Sequence, residues 1–145
     1  MKVGLTEIGA EILRRDGEFK VTRVMLGNGR YLIREGVPIR KNQLVSPIIS
    51  CRVSLSEEMK NFWCVGIKFD NLSLPKGFFY TEYGVFAYDD DGYEVMIAYA
   101  VLGNYELASF FPAFFSNKAS ADYTTRVLVP KTDKIVDSEE IKNDW

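Results

Sequence analysis

Three consecutive carboxylates, Asp89, Asp90 and Asp91, are the first residues of this chain that invite a chemical reading, because clustered side-chain oxygens bind calcium or magnesium. Their spacing argues for something plainer. Calcium loops alternate ligands with spacers, whereas adjacent side chains diverge, and Asp-Gly between two strand-patterned runs is the composition of a tight hairpin turn. Glu82 is the second candidate, a carboxylate inside the apolar run FFYTEYGVFAY. Such a group could do acid–base work on a sugar, but that needs a second carboxylate across the cleft, and none is identifiable in the sequence. A strand glutamate bonded to backbone amides or to an arginine accounts for it without a reaction. Cys51 and Cys64 fall in neighbouring strand-like segments, where a short hairpin would set them almost opposite one another. A cross-strand disulfide is conceivable there; two small buried thiols are the reading preferred here, with no redox role.

The remaining polar groups narrow the chemistry further. Arg30, Arg34, Arg40 and Lys41 crowd one loop and could hold phosphate or an acidic partner, yet Glu35 sits among them and a solvated loop suffices. Gly27-Asn28-Gly29 lacks the third glycine of a dinucleotide fingerprint and opens no expected helix, so no cofactor is implied. There is no histidine, which removes the commonest general base, the Ser-His and Cys-His nucleophile pairs and the most frequent zinc ligand. Two cysteines build neither a disulfide framework nor a four-cysteine zinc site, and point to a reducing compartment. With 18 Lys and Arg against 20 Asp and Glu, the net charge of −2 argues against nucleic acid as a partner. No run approaches the ~18 apolar residues of a membrane span, the densest stretch at 110–115 being broken by Pro112, and no secretory signal opens the chain.

Elements must position whatever these residues do. The length of 145 residues suits one domain, and 14% aromatic residues favour sheets over a helical bundle. One helix is expected at 6–16: Thr6 can cap it, Glu7 faces the positive end of its dipole, Arg14 and Arg15 face the negative end, and Gly17 can take the left-handed turn that stops it. Leu5, Ile8, Ile12 and Leu13 would form its apolar face. From residue 19 the hydrophobic period changes to two, which predicts a strand over 19–26, then a long surface loop over 30–44. Paired strands are expected at 45–55 and 62–70, a second hairpin at 77–88 and 93–102, and a last strand at 123–129 closed by Pro130. The expected class is therefore mainly β (α+β): an antiparallel β-sandwich-like domain with one short N-terminal helix, spanning 1–130. Residues 131–145 read as a charged C-terminal tail or truncated linker.

The stretch at 105–115 carries Tyr105, Phe110, Phe111, Phe114 and Phe115 with no clean period. Two readings stand side by side. If the rings face water they form an apolar patch that marks an interface or oligomer seam; otherwise the loop folds back and plugs one end of the sandwich.

The order of these pieces resembles a known family. Leu5-Thr6-Glu7-Ile8-Gly9 running into a helix, then Thr22-Arg23-Val24 leading to Leu26-Gly27-Asn28-Gly29, is similar to the amino-terminal domain of phage tail-collar fibre proteins. The block from Gly77 to Ala87, with Glu82-Tyr83-Gly84 at its centre, is the most specific match. Leu44-Val45, the acidic Asp-Gly turn, Ala98-Tyr99-Ala100, Gly103-Asn104-Tyr105 and Phe111-Pro112-Ala113 follow in family order, so the likeness covers about residues 5 to 130. Arg40-Lys41-Asn42-Gln43 and Phe114-Phe115 depart from the pattern. The resemblance implies a non-catalytic structural protein that attaches a tail fibre to the virion tail or baseplate. Its implied partners are other tail or baseplate proteins and copies of itself, a trimer being favoured, and its place is the virion tail after synthesis in the bacterial cytoplasm. It further implies that Leu5, Thr6, Gly9, Gly27, Gly29, Glu82 and Gly84 form a structural motif. The alternative from another class is a carbohydrate-binding β-sandwich that stacks host-surface glycans on the 105–115 rings. A wall-polysaccharide hydrolase comes third, since it needs two carboxylates ~5–10 Å apart.

Overall fold

Thr6 starts the helix as its chemistry predicts: its side chain accepts from the Gly9 amide, and Gly17 ends the helix with φ 74° while its own amide returns to the Leu13 carbonyl. The computed structural model describes residues 1–72, 74, 76–103, 108–111 and 122–138. Among them, strand β1 (Lys2–Leu5) precedes the helix α1 (Glu7–Asp16), followed by β2 (Val21–Gly27), β3 (Pro47–Glu58) and β4 (Phe62–Asp70). Then come β5 (Phe78–Tyr80), β6 (Glu82–Tyr88), β7 (Glu94–Val101), β8 (Ser109–Phe111), β9 (Asp122–Pro130) and β10 (Val136–Asp137). The protein is mainly antiparallel β with one short helix. Strand β1 escapes the sequence pattern because four residues just ahead of a helix cap are too few to show a period of two.

Eight strands form one curled sheet in the order β10-β1-β7-β6-β2-β3-β4-β9, and β5 pairs with β8 in a separate ribbon. The corner is made by β3. Its first residues pair with β2, Cys51 against Val24, and its later ones with β4, Glu58 against Trp63, with a register break between Val53 and Leu55. The curl brings β6 across from β9. Tyr83 on β6 donates its hydroxyl to the Leu128 carbonyl at 2.7 Å and accepts the Leu128 amide at 3.1 Å, so one buried side chain satisfies both backbone groups that Leu128 would offer to a further strand. The β6–β7 hairpin has the expected acidic turn: Tyr88 pairs with Glu94, and the Asp89 carboxylate accepts from the Asp91 and Tyr93 amides while Gly92 takes φ 82°.

Several expectations need correction. Ile8 does not belong to the buried face of α1; it is 45% exposed, and Gly9 and Ile12 face inward. The reason is a close approach. A Cβ on Gly9 would run into the Ile97 carbonyl, so the contact line of the helix on β7 passes through positions 9 and 12 and turns 8 outward. The run 77–88 is not one strand. At Thr81 the chain leaves the ribbon and enters the main sheet, its amide donating to the Gly27 carbonyl and its hydroxyl to that of Gly29. The loop 30–44 is not merely a surface loop either, since Ile39 and Leu44 are buried with Phe86, Met96, Tyr99 and Val101 in a second apolar cluster. Cys51 and Cys64 are not opposite one another: Cys64 faces Glu57, and both are free, buried thiols. Within the segment read as a charged tail, Val136 and Asp137 pair with Val3 and Lys2 of β1.

Candidate functional site

Glu82 opens β6 with none of its surface exposed, and everything around it is a donor. Its Oε1 accepts from the Val45 amide at 2.9 Å and the Tyr99 hydroxyl at 2.8 Å; its Oε2 accepts from the Gly29 amide at 2.9 Å and the Ser46 amide at 2.8 Å. A carboxylate has about four acceptor positions, so the group is saturated. No arginine or lysine takes part in these bonds. The charge is held by backbone dipoles and one phenol, the amide-bonded form anticipated for a strand glutamate. Burial and the neighbouring Glu82 charge both push the Tyr99 hydroxyl well above the usual phenol range, which keeps its proton available for that bond.

The glycines of the motif make room for this arrangement. A Cβ on Gly27 would stand 2.6 Å from Glu82 Oε2, and one on Gly29 would stand 2.8 Å from the same atom. On Gly84 it would meet Leu44 Cδ1 at 2.5 Å and Met96 Sδ at 2.7 Å. The other half of the motif lies one strand away. Leu5 pairs with Ala98 of β7, and the Thr6 hydroxyl, besides capping α1, donates to the Met96 carbonyl at 2.7 Å. Strand β7 thus links the two halves, with Met96 beneath Gly84 and Tyr99 against Glu82. Tyr99 has no role in the sequence reading beyond its place in Ala98-Tyr99-Ala100, and nothing local announces its bond to Glu82, since the two alanines face the main core on the other side of the sheet.

The aromatic candidates divide. Phe111 points inward and packs against Phe69, Phe78, Tyr80 and Tyr123, with centroid distances of 5.1, 5.6, 5.9 and 5.1 Å. Phe110, its neighbour on β8, points the other way, 52% exposed, against Phe79, which is 58% exposed, at 4.9 Å between rings. The plug and the patch are therefore both present, on opposite faces of one ribbon. Tyr105, Phe114 and Phe115 lie outside the described residues. Phe79 was missed because ribbon pairing joins positions far apart in sequence, Phe79 with Phe110.

A cleft of about 320 Å³ lies between α1, the 34–39 loop and Asp133 to Ile135. Its charged lining is mixed: Arg14 and Arg34 stand with Glu7, Glu35 and Asp133. Glu7 is already paired with Arg40 at 3.0 Å, and Glu35 accepts the Ile135 amide at 3.0 Å. Of the loop cations, for which a solvated surface is the preferred reading, Arg30 donates to the Leu102 carbonyl at 2.8 Å and Lys41 covers the Tyr31 ring at 4.9 Å. Among the described residues no three His, Cys, Asp or Glu side chains gather as metal ligands, and no helix is long and apolar enough to cross a membrane. Comparison with known proteins found no matching family model, no matching curated protein and no matching solved structure.

Proposed function

We propose that this chain is a structural protein of a phage or prophage tail, joining a tail fibre to the virion tail or baseplate through protein–protein contacts. The single observation that carries the reading is what the motif residues do. Leu5, Thr6 and Gly9 dock the helix on β7, and Gly27, Gly29, Glu82 and Gly84 fasten the long loop. The residues on which the tail-collar resemblance rests are thus the residues on which the frame rests, and none of them is left with a free functional group for chemistry.

Contact with a partner then falls to the surface, and the Phe79–Phe110 pair is its apolar feature on the ribbon. Two phenylalanines suit a protein partner better than a sugar, because a glycan platform needs hydrogen-bond partners for the ring hydroxyls and phenylalanine offers none. Immunogold labelling of particles purified from the producing bacterium tests the reading. Label at the tail tip or baseplate is the expected result; label absent from particles while the chain is abundant elsewhere in the lysate overturns it. Light scattering over a range of concentrations tests the assembly state, a trimer being the expected mass.

A further inference from the structure

The segment 29–46, between β2 and β3, is fastened to the domain by very few main-chain bonds, and these converge. The amides of Gly29, Val45 and Ser46 all donate to Glu82. The amide of Tyr31 donates to the Tyr99 hydroxyl at 3.1 Å, and that hydroxyl donates in turn to Glu82. Both ends of the segment therefore share one acceptor, and they are also joined to each other, the Asn28 amide reaching the Ser46 carbonyl at 3.1 Å. Away from the ends, Ile39 bridges to Thr6, its carbonyl accepting the Glu7 amide at 2.8 Å. The side-chain ties are those of Arg30, Glu35 and Arg40, together with the Thr81 hydroxyl, which donates to the Gly29 carbonyl at 2.8 Å, all at the surface or half-buried.

Packing tells the same story. Ile39 and Leu44 sit on Phe86, Met96, Tyr99 and Val101, a cluster on one side of the sheet that is separate from the main core on the other. Nothing buried in the main core comes from 29–46. Once either end lifts, water reaches a carboxylate that also holds the other end, so the second end loses the dry surroundings that made its bonds strong. From this geometry we propose that 29–46 is a strap that opens and closes as one cooperative unit, hinged at residues 27–28 and 46–47, with Glu82 as its clasp, while the sheet beneath stays folded. The proposal is independent of the tail-fibre reading.

Amide hydrogen exchange on the full chain, followed residue by residue by NMR, tests it. In the unmodified protein the amides of Gly29, Tyr31, Val45 and Ser46 are expected to share one protection factor, lower than that of Val65 and Ile67 in the centre of β4. Leu44→Ala leaves every bond to Glu82 in place but removes packing from under the strap. It should speed exchange of all four reporters by one common factor of more than about tenfold, while Val65 and Ile67, which exchange only when the sheet also unfolds, stay the slower pair. Glu82→Gln, which turns an amide donor toward at least one of the four donors, should do the same. Should the Gln variant fail to fold, Leu44→Ala still decides. Four reporters that accelerate by different factors, or reporters protected as strongly as Val65 and Ile67 in the unmodified protein, would overturn the proposal.

Discussion

Around Glu82 each carboxylate oxygen accepts two donors and the group has no exposed surface; around Phe110 two large rings, packed on each other and, for Phe110, on Gly77, stand more than half exposed. The first region is polar and sealed, the second apolar and open, the reverse of the usual arrangement of a protein surface over its core. The difference separates two kinds of constraint. At Glu82 the atoms are fixed by one another, so a change there acts on the frame. At Phe79 and Phe110 nothing in the described chain completes the packing, so a change there acts on whatever meets that face.

The largest expected effect breaks the sealed end. Glu82→Ala leaves three backbone amides and the Tyr99 hydroxyl without their acceptor in a dry site, and should cost about 4 kcal/mol or more, read as a collapse of the denaturant midpoint or failure to fold. An unchanged midpoint would mean that water replaces the carboxylate freely and that the site is not sealed. Next in size is Phe111→Ala. Removing the ring that Phe69, Phe78, Tyr80 and Tyr123 share should cost about 3 kcal/mol and detach the ribbon from the sheet. Its neighbour should behave in the opposite way. Phe79→Ser with Phe110→Ser should change stability by less than about 0.5 kcal/mol in a monomer while lowering any concentration-dependent mass seen by light scattering. A large loss of stability from that double variant would show the pair to be core and erase the contrast.

The sequence carried the sealed end in pieces. A lone carboxylate in an apolar run marked Glu82, and Thr6, Gly17 and the Asp89 turn were legible because caps and turns are written in adjacent residues. What could not be read was partnership across long separations. The donors to Glu82 come from two loop ends and a distant strand, and no local period announces that Val45, Ser46 and Tyr99 will meet. The strap reads as open surface because two buried residues, Ile39 and Leu44, in a loop rich in charge set up no periodicity. The hairpin of β3 and β4 was found, but its register was not, and the register alone decides that Cys64 meets Glu57 rather than Cys51.

A surface carboxylate sharpens the contrast with Glu82 at the smallest scale. Glu94 accepts from the Thr22 hydroxyl at 2.6 Å and from Arg23 Nε at 2.8 Å, half in water. Partial burial pushes its pKa up, but the hydrogen bonds from Thr22 and Arg23 and the Arg23 charge more than offset this and hold it below the usual carboxylate range. The sign of the pH effect follows. The unfolded chain binds this proton more readily than the folded one, so the contribution is complete above the ordinary carboxylate pKa and fades as pH falls through the lowered folded value. Glu94→Gln should therefore lower Tm by a degree or so near neutrality, about 0.5 kcal/mol at most for an exposed pair, and the gap to the unmodified protein should close in acid and shrink in high salt. A gap that stayed constant with pH and salt would show that the Thr22 and Arg23 bonds add nothing that depends on the Glu94 charge, in contrast to the amides that hold the Glu82 carboxylate.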